Sequence, residues 1–91
     1  MITLDSIPSA APDIVSRQLD GEAVLVIPGK AQVKVINPTG AAIWSLLDGR
    51  RSVNEIALVL CDEFDVEPEQ AKLDTLDFIA DLAARGILLI T

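Results

Sequence analysis

Two short turn signals constrain the fold of the first half of this chain more than any other feature. Asp20-Gly21 and Pro28-Gly29 separate three runs of β-forming residues, "IVSRQL", "AVLVI" and "QVKVI". Glycine supplies the backbone conformation that tight turns require, and Asp-Gly is a typical two-residue hairpin loop. Because loops this short join neighbouring antiparallel strands, the pattern predicts a three-stranded meander with strands Ile14–Leu19, Ala23–Ile27 and Gln32–Ile36.

Capping residues predict three helices after the sheet. Asn37 can accept from first-turn amides, Pro38 suits the first helical position, and Ser52 with Glu55 forms a capping box. The predicted helices run from Pro38 to about Asp48, where Gly49 stops the first, from Ser52 to about Glu63, and from Pro68 to Gly86. The final run "ILLI" is either a short strand or an apolar tail. The fold class is therefore α+β, a three-stranded antiparallel sheet followed by three helices.

The chain length of 91 residues indicates a single domain. Hydrophobic residues make up 51% of the chain, which is enough for a globular core. Pro8 and Pro12 favour an extended N-terminal arm over residues 1–13, so the predicted domain spans residues 14–91.

The net charge of −7 argues against nucleic acid and against anionic membrane surfaces as partners, and leaves a basic peptide or protein as an allowed one. Cys61 is the single cysteine, so no intrachain disulfide can form. The N-terminus has no signal-peptide pattern, and no apolar run approaches the roughly 20 residues that cross a bilayer. We expect a cytoplasmic protein.

The chain lacks the residues that nucleophilic catalysis, zinc binding and phosphate binding commonly require. The chain has no histidine, which excludes Ser–His and Cys–His nucleophile pairs. One cysteine without histidine gives no credible zinc site, and no Gly-rich phosphate loop is present. The expectation is a protein that is not an enzyme and has neither a cofactor nor a metal, with Cys61 as a small buried side chain.

The third predicted helix, Pro68 to Gly86, is more apolar than a surface helix needs to be. At about 100° per residue its apolar arc covers over half of the circumference. Either the helix is sandwiched between the sheet and the other helices, or part of the arc lines a groove for a partner, and the two explanations are compatible. One apolar face contains Leu73, Leu76, Ala80 and Ala83, and a polar seam contains Gln70, Asp74, Asp77, Asp81 and Arg85.

The last strand of the meander, Gln32–Ile36, is an edge with unpaired backbone groups. Val33 and Val35 face one way, and Gln32 and Lys34 face the other. Lys34 either guards this edge against aggregation or belongs to an edge left open for an added peptide strand. The sequence leaves open whether Val33 and Val35 or their neighbours direct their N–H groups outward. An acidic seam beside this edge favours a peptide that carries Lys or Arg.

The stretch "INPTGAAIWSLLDGRRSVNEIALVL" resembles the PqqD family, small domains also called recognition elements of ribosomally synthesised and post-translationally modified peptides (RiPPs). The resemblance lies in Asn37, Thr39-Gly40, Ile43-Trp44 and Leu47-Asp48-Gly49, in "RSVNEIA", and in the ending "EFDVEPEQAKLDTLDFIADLAARGIL". It covers roughly residues 14–90. The chain departs from the pyrroloquinoline-quinone subfamily, which commonly has Ser-Ala in place of Thr39-Gly40.

This resemblance implies a winged helix-turn-helix-like fold that binds the leader segment of a precursor peptide. The leader would add a strand to Gln32–Ile36 in a groove closed by the third helix, for delivery to a peptide-modifying enzyme such as a lasso-peptide leader peptidase or a radical SAM enzyme. The same topology also suggests a rival function, a winged-helix DNA-binding regulator. The candidate leader-binding residues are Gln32, Val33, Lys34, Val35, Ile36, Leu73, Leu76, Asp77, Ala80 and Asp81.

Overall fold

A computed structural model describes residues 2–27, 29 and 32–91 of the chain. The predicted Pro28-Gly29 turn includes Pro28, which lies outside the described residues. The structure confirms an α+β fold with a three-stranded antiparallel sheet followed by three helices. Its elements are β1 (Pro8–Ala10), β2 (Val15–Leu19), β3 (Glu22–Ile27), β4 (Gln32–Ile36), α1 (Pro38–Ser45), α2 (Val53–Phe64), α3 (Pro68–Ala84) and β5 (Leu88–Ile90).

The β2–β3 hairpin forms as its turn residues predict. Asp20 has φ 47° and Gly21 has φ 84°, so both central residues take the left-handed conformation that a two-residue hairpin loop requires. The turn places Leu19 opposite Glu22. The strand order is β2-β3-β4, so β3 is the central strand and β4 lies at one edge.

The core lies between the helix-facing side of β3 and the three helices. Ala23, Leu25 and Ile27 alternate along β3 and are buried, as the two-residue period of a strand dictates. They pack with buried residues of α2 and α3, including Ile56 and Leu60 of α2 and Ile79 and Leu82 of α3. Phe64, the last residue of α2, is 38% exposed.

Helix α1 ends three residues before the predicted Asp48. Asn37 caps its start, where the side-chain Oδ1 accepts from the Gly40 N–H at 2.8 Å. Asp48 is not helical because its side chain accepts from the backbone N–H groups of Arg50 and Arg51, each at 2.9 Å. That arrangement shapes the α1–α2 loop, in which Gly49 takes φ 75°.

The two ends of the chain form a second, two-stranded sheet. β1 pairs antiparallel with β5, so "ILLI" contributes a strand rather than a loose tail. The segment before β1 also contacts α2, because the carbonyl groups of Leu4 and Ser6 accept from the N–H groups of Asn54 and Val53. These N–H groups belong to the first turn of α2 and have no partner within the helix. The expected arm is thus held against α2 and β5, and β3 is the only strand paired with β4 among the described residues.

Candidate peptide-binding site

The hairpin turn determines which backbone groups of β3 point toward β4. Leu19 and Glu22 flank a two-residue loop, and such a pair exchanges both of its hydrogen bonds. Hydrogen-bonded pairs alternate along an antiparallel ladder, so Glu22, Val24 and Val26 bond to β2. The intervening residues Ala23, Leu25 and Ile27 therefore direct their N–H and C=O groups toward β4.

The pairing of β3 with β4 then determines which residues of β4 are open to an added strand. Ile36, Lys34 and Gln32 lie opposite Ala23, Leu25 and Ile27, and so they hydrogen-bond to β3. Val33 and Val35 lie between them and direct their backbone groups away from the sheet. The alternative that the sequence left open is thereby resolved in favour of these two valines.

The side chains of β4 alternate in the same way. Val33 and Val35 project from the sheet face opposite the helices and are 65% and 63% exposed. Ile36 is buried on the helix-facing side, and Lys34 is half-buried on that side, where it reaches α3. A groove therefore runs between the free edge of β4 and one face of α3.

We call this feature the β4–α3 groove. Its β4 side carries Gln32, Lys34 and Ile36, and its α3 side carries Asp74, Phe78, Asp81 and Arg85. Asp74, Phe78 and Asp81 follow one another at intervals of four and three, which places them on a single face of α3, and Arg85, the C-cap residue, follows four positions later. Three depressions adjoin here: the first two share Lys34 and Val35, and the second and third share Asn37 and Phe78. The groove is therefore continuous from Gln32 to the start of α1.

Close packing at Gly40 shapes one end of the groove. A Cβ atom built on Gly40 would lie 2.8 Å from Cε1 of Phe78 and still closer to Cγ2 of Ile36. The absence of a side chain therefore lets the start of α1 approach both the end of β4 and the middle of α3. The cleft beside this contact is lined by Asn37, Phe78 and Asp74.

One carboxylate near the middle of the groove faces two cations. Asp81 Oδ2 lies 3.8 Å from Nζ of Lys34, and Asp81 Oδ1 lies 3.2 Å from Nε of Arg85. Asp74, farther along, accepts from the side-chain amide of Gln70 at 2.8 Å. The carboxylates of the seam that face the groove are thus already engaged within the protein.

The structure brings only part of the expected helix residues to β4. Asp81 lies in the groove, whereas Leu73 and Ala80 are exposed on another side of α3 and Leu76 packs against the core. Asp77 is exposed and lies outside the groove lining. The candidate set takes Leu73, Leu76 and Ala80 from the apolar face of α3, whereas the stripe of α3 that the core buries is Ala71, Thr75, Ile79 and Leu82.

Sequence reasoning missed Phe78, Asp74 and Arg85 as groove residues. The polar seam was the available signal, because Asp74, Asp81 and Arg85 already shared a helical face with the required spacing. Phe78 gave no such signal, since an aromatic residue within an apolar arc is equally suited to the core. Its position in the groove wall depends on the angle between α3 and the sheet.

The described residues show no grouping suited to metal binding, since no three His, Cys, Asp or Glu side chains come together there. Cys61 is half-buried, and its thiol donates to the Val66 carbonyl at 2.8 Å. None of the helices described is long and apolar enough to cross a membrane.

These features define a small α+β domain with an open sheet edge facing a helix. The family model for coenzyme PQQ synthesis protein D (PqqD) matches residues 22–88, which is well over half of the sequence. The chain belongs to the PqqD family. No curated protein matches it.

Three solved structures share the fold. TbiB1 in complex with the TbiA(beta) leader peptide is 29% identical, with a TM-score of 0.80 over 88% of this chain and 93% of that one. A lasso peptide synthetase B1 complexed with the leader peptide is 26% identical, with a TM-score of 0.80 over 91% and 98% of the two chains. The PqqD truncation of Methylobacterium extorquens PqqCD, a stand-alone RiPP recognition element, is 24% identical. Its TM-score of 0.81 over 98% of this chain and 95% of that one shows a common fold.

Proposed function

We propose that this protein is a non-catalytic adaptor that binds the leader segment of a ribosomally synthesised precursor peptide. The observation that carries the proposal is the free edge of β4, where Val33 and Val35 direct their backbone groups outward beside a groove. Two similar structures, TbiB1 and the lasso peptide synthetase B1, are complexes with leader peptides. Both similarities cover most of this chain.

The binding mode that fits this edge is strand addition. A leader in extended conformation would exchange hydrogen bonds with Val33 and Val35 and extend the sheet from three strands to four. These backbone contacts bind any sequence, so selectivity falls to the side chains that enter the β4–α3 groove. Of the leader-binding residues predicted from the sequence, the proposal keeps Gln32–Ile36 and Asp81. It adds Asp74, Phe78 and Arg85, which line the same groove.

The bound leader would be presented to a separate peptide-modifying enzyme, such as a lasso-peptide leader peptidase or a radical SAM enzyme. The adaptor supplies no chemistry of its own in this proposal. Residues 14–91 form the binding domain, and the arm over residues 1–13 has a supporting role. The precursor is made on ribosomes, so the proposal places the adaptor in the cytoplasm.

Isothermal titration calorimetry tests the proposal with a synthetic leader from a short precursor encoded beside the gene of this protein. We expect saturable binding of one leader to one protein, and no heat from a peptide of the same composition in scrambled order. Absence of binding at high micromolar concentration, with the protein shown to be folded by circular dichroism, would contradict the adaptor function.

The DNA-binding alternative has no comparable support. The net charge is −7, and only Arg17, Lys30, Lys34, Arg50, Arg51, Lys72 and Arg85 are basic. Affinity for DNA depends on neutralising phosphates with such residues, so we expect no mobility shift of duplex DNA even at low salt. A shift that weakens as salt is added would reopen this alternative.

A further inference from the structure

The sheet of β2, β3 and β4 has an exposed apolar surface on the side opposite the helices, which we call the outer face. Five of the ten large hydrophobic residues that are exposed in the described part of the chain lie on it: Val15, Leu19, Val26, Val33 and Val35. The strand registers align them, so that Val26 lies between Val15 and Val33. Contiguous exposed apolar surface of this kind is typical of a site that contacts another protein.

Two charged side chains accompany these apolar residues. Arg17 lies opposite Val24 in the middle of β2, and Glu22 lies at the hairpin end of β3. Neither forms a salt bridge with another described residue. An arginine among apolar side chains is a composition enriched at protein interfaces. The outer face therefore fits a partner surface that is apolar at its centre and carries an acidic group to meet Arg17.

The size of the outer face does not suit a second copy of the chain. Strands lie about 4.8 Å apart and rise about 3.3 Å per residue, so three five-residue strands cover roughly 14 by 17 Å, or about 240 Å². Stable interfaces bury about 800 Å² on each partner. Two outer faces packed together give much less than this, and they place two Arg17 side chains of like charge in one small interface.

A bound leader would enlarge the outer face. Peptide residues opposite Val33 and Val35 direct their side chains to the same side of the sheet as these two valines. A fourth strand widens the surface by about 4.8 Å, or roughly one third. The two sets of leader side chains thus have different surroundings, because one set enters the β4–α3 groove and the other extends the outer face.

We propose that the outer face docks the peptide-modifying enzyme, and that side chains of the bound leader form part of the docking surface. This inference rests on the proposed function, because it assigns a surface to the enzyme that receives the leader. The enzyme binds the leader-loaded adaptor more tightly than the free adaptor, since only the loaded form presents the four-stranded face. By linkage, the enzyme tightens leader binding by the same factor.

Biolayer interferometry with the peptide-modifying enzyme encoded beside the gene of this protein tests the inference, with and without a saturating synthetic leader. Val15→Lys replaces an apolar contact on β2, two strands away from the leader-binding edge. It should weaken enzyme binding about fivefold or more and leave the Kd for the leader unchanged. Leu58→Lys is the matched control, because Leu58 is 52% exposed and lies on α2, whereas Val15 is 51% exposed. The control should bind the enzyme as the wild type does.

Arg17→Glu is a second variant, which tests the charge of the outer face. It should weaken enzyme binding about two- to fivefold, the range for one exposed ion pair, and should also spare the leader. Circular dichroism establishes that each variant is folded.

Wild-type enzyme affinity in both outer-face variants, or no enzyme binding by the folded, leader-loaded wild type, would overturn the inference and leave leader binding standing. Equal enzyme affinity of the free and loaded adaptor would overturn the contribution of the leader. A wild-type dimer in sedimentation velocity that Val15→Lys dissociates would assign the outer face to a second copy and overturn the inference. Absence of leader binding would contradict the proposed function, whereas the effect of Val15→Lys on the free adaptor would still decide where the enzyme docks.

Discussion

Gly40 lies where the end of β4 meets the middle of α3, and it links a sequence motif to the shape of the groove. Its missing side chain leaves room for Ile36 and for the ring of Phe78. The same residue donates its N–H to the Asn37 side chain, which starts α1. The segment that joins β4 to α1 therefore has a geometric role, because it determines how the binding edge is placed relative to the helices.

Gly40→Ala is expected to destabilise the protein and alter the groove. Overpacking costs about 1–3 kcal/mol, and the better helix propensity of alanine offsets roughly 1 kcal/mol of that. Urea unfolding measures the net loss, and Gly40→Ala combined with Phe78→Leu should recover part of it. Gly29→Ala is the control, since no described atom outside its chain neighbours lies within 4 Å of a Cβ placed there. Equal stability of both variants would contradict close packing at Gly40.

Asp48 stabilises the loop between α1 and α2. It accepts hydrogen bonds from the backbone N–H groups of Arg51 and Arg50, and its carboxylate also lies 3.0 Å from Nη1 of Arg51. The two backbone bonds, from Arg51 first and Arg50 second, lower the pKa of Asp48 below its ordinary value of 3.8. The charged form is therefore favoured in the folded protein.

The sign of this pKa shift predicts a pH dependence. A carboxyl group whose pKa is lowered by folding contributes stability above its unfolded pKa, and this contribution disappears as the pH falls through the folded value. Asp48→Ala should therefore lower the Tm at pH 7, and the difference from wild type should shrink below about pH 3.8. Asp20→Asn, at an exposed hairpin turn, keeps a residue that tolerates positive φ and should leave the Tm close to wild type. A Tm difference for Asp48→Ala that is constant from pH 7 to pH 3 would contradict this role.

At the scale of the elements, β4 has two kinds of backbone position. Val35 directs its N–H away from the sheet, whereas Lys34 donates to β3. Proline has no N–H, and edge strands tolerate it where the missing group faces outward. Proline at these two neighbouring positions should therefore affect different properties: peptide binding at Val35 and folding stability at Lys34.

Val35→Pro should abolish leader binding and leave the free energy of unfolding near wild type. Lys34→Pro removes a hydrogen bond to β3 and should cost about 1 kcal/mol or more in stability. Urea unfolding and calorimetric titration distinguish the two outcomes, and Val33→Pro should behave like Val35→Pro. If Lys34→Pro were stable while Val35→Pro unfolded the protein, the assignment of outward-facing N–H groups to Val33 and Val35 would be wrong.

At the scale of the whole molecule, the chain ends are held on a separate small sheet and leave β4 accessible. Ile7 and Thr91 exchange two backbone hydrogen bonds, at 3.0 Å each. The carbonyl groups of Ser6 and Leu4 satisfy the first N–H groups of α2. The N-terminal segment thus contributes to the stability of α2, and none of its described residues lines the groove.

Removal of residues 2–7 should destabilise the protein and spare peptide binding. Four backbone hydrogen bonds at about 0.5–1.5 kcal/mol each predict a loss of roughly 2–6 kcal/mol. Urea unfolding measures the loss, and titration at a temperature where the shortened chain is folded should give an unchanged Kd. A much weaker Kd for the folded variant would show that the N-terminal segment takes part in binding.

The sequence by itself determined the local structure. Asp20-Gly21 specified the hairpin, Asn37 and Ser52 specified helix starts, and alternation along "QVKVI" divided the two faces of β4. These features depend on contacts within a few residues, and so they can be read from adjacent positions. The predicted end of α1 at Asp48 was wrong, because Asp48 is not helical and its side chain accepts hydrogen bonds from backbone N–H groups of the loop that follows.

Only the tertiary structure decided which groups form the site. The choice of Val33 and Val35 as outward-facing required the pairing of β4 with β3, which no property of β4 itself specifies. The position of Phe78 and the pairing of Asp81 with Lys34 required the angle between α3 and the sheet. That angle results from packing of residues far apart in the chain, and a helix that is apolar on most of its surface does not indicate which side the core will bury.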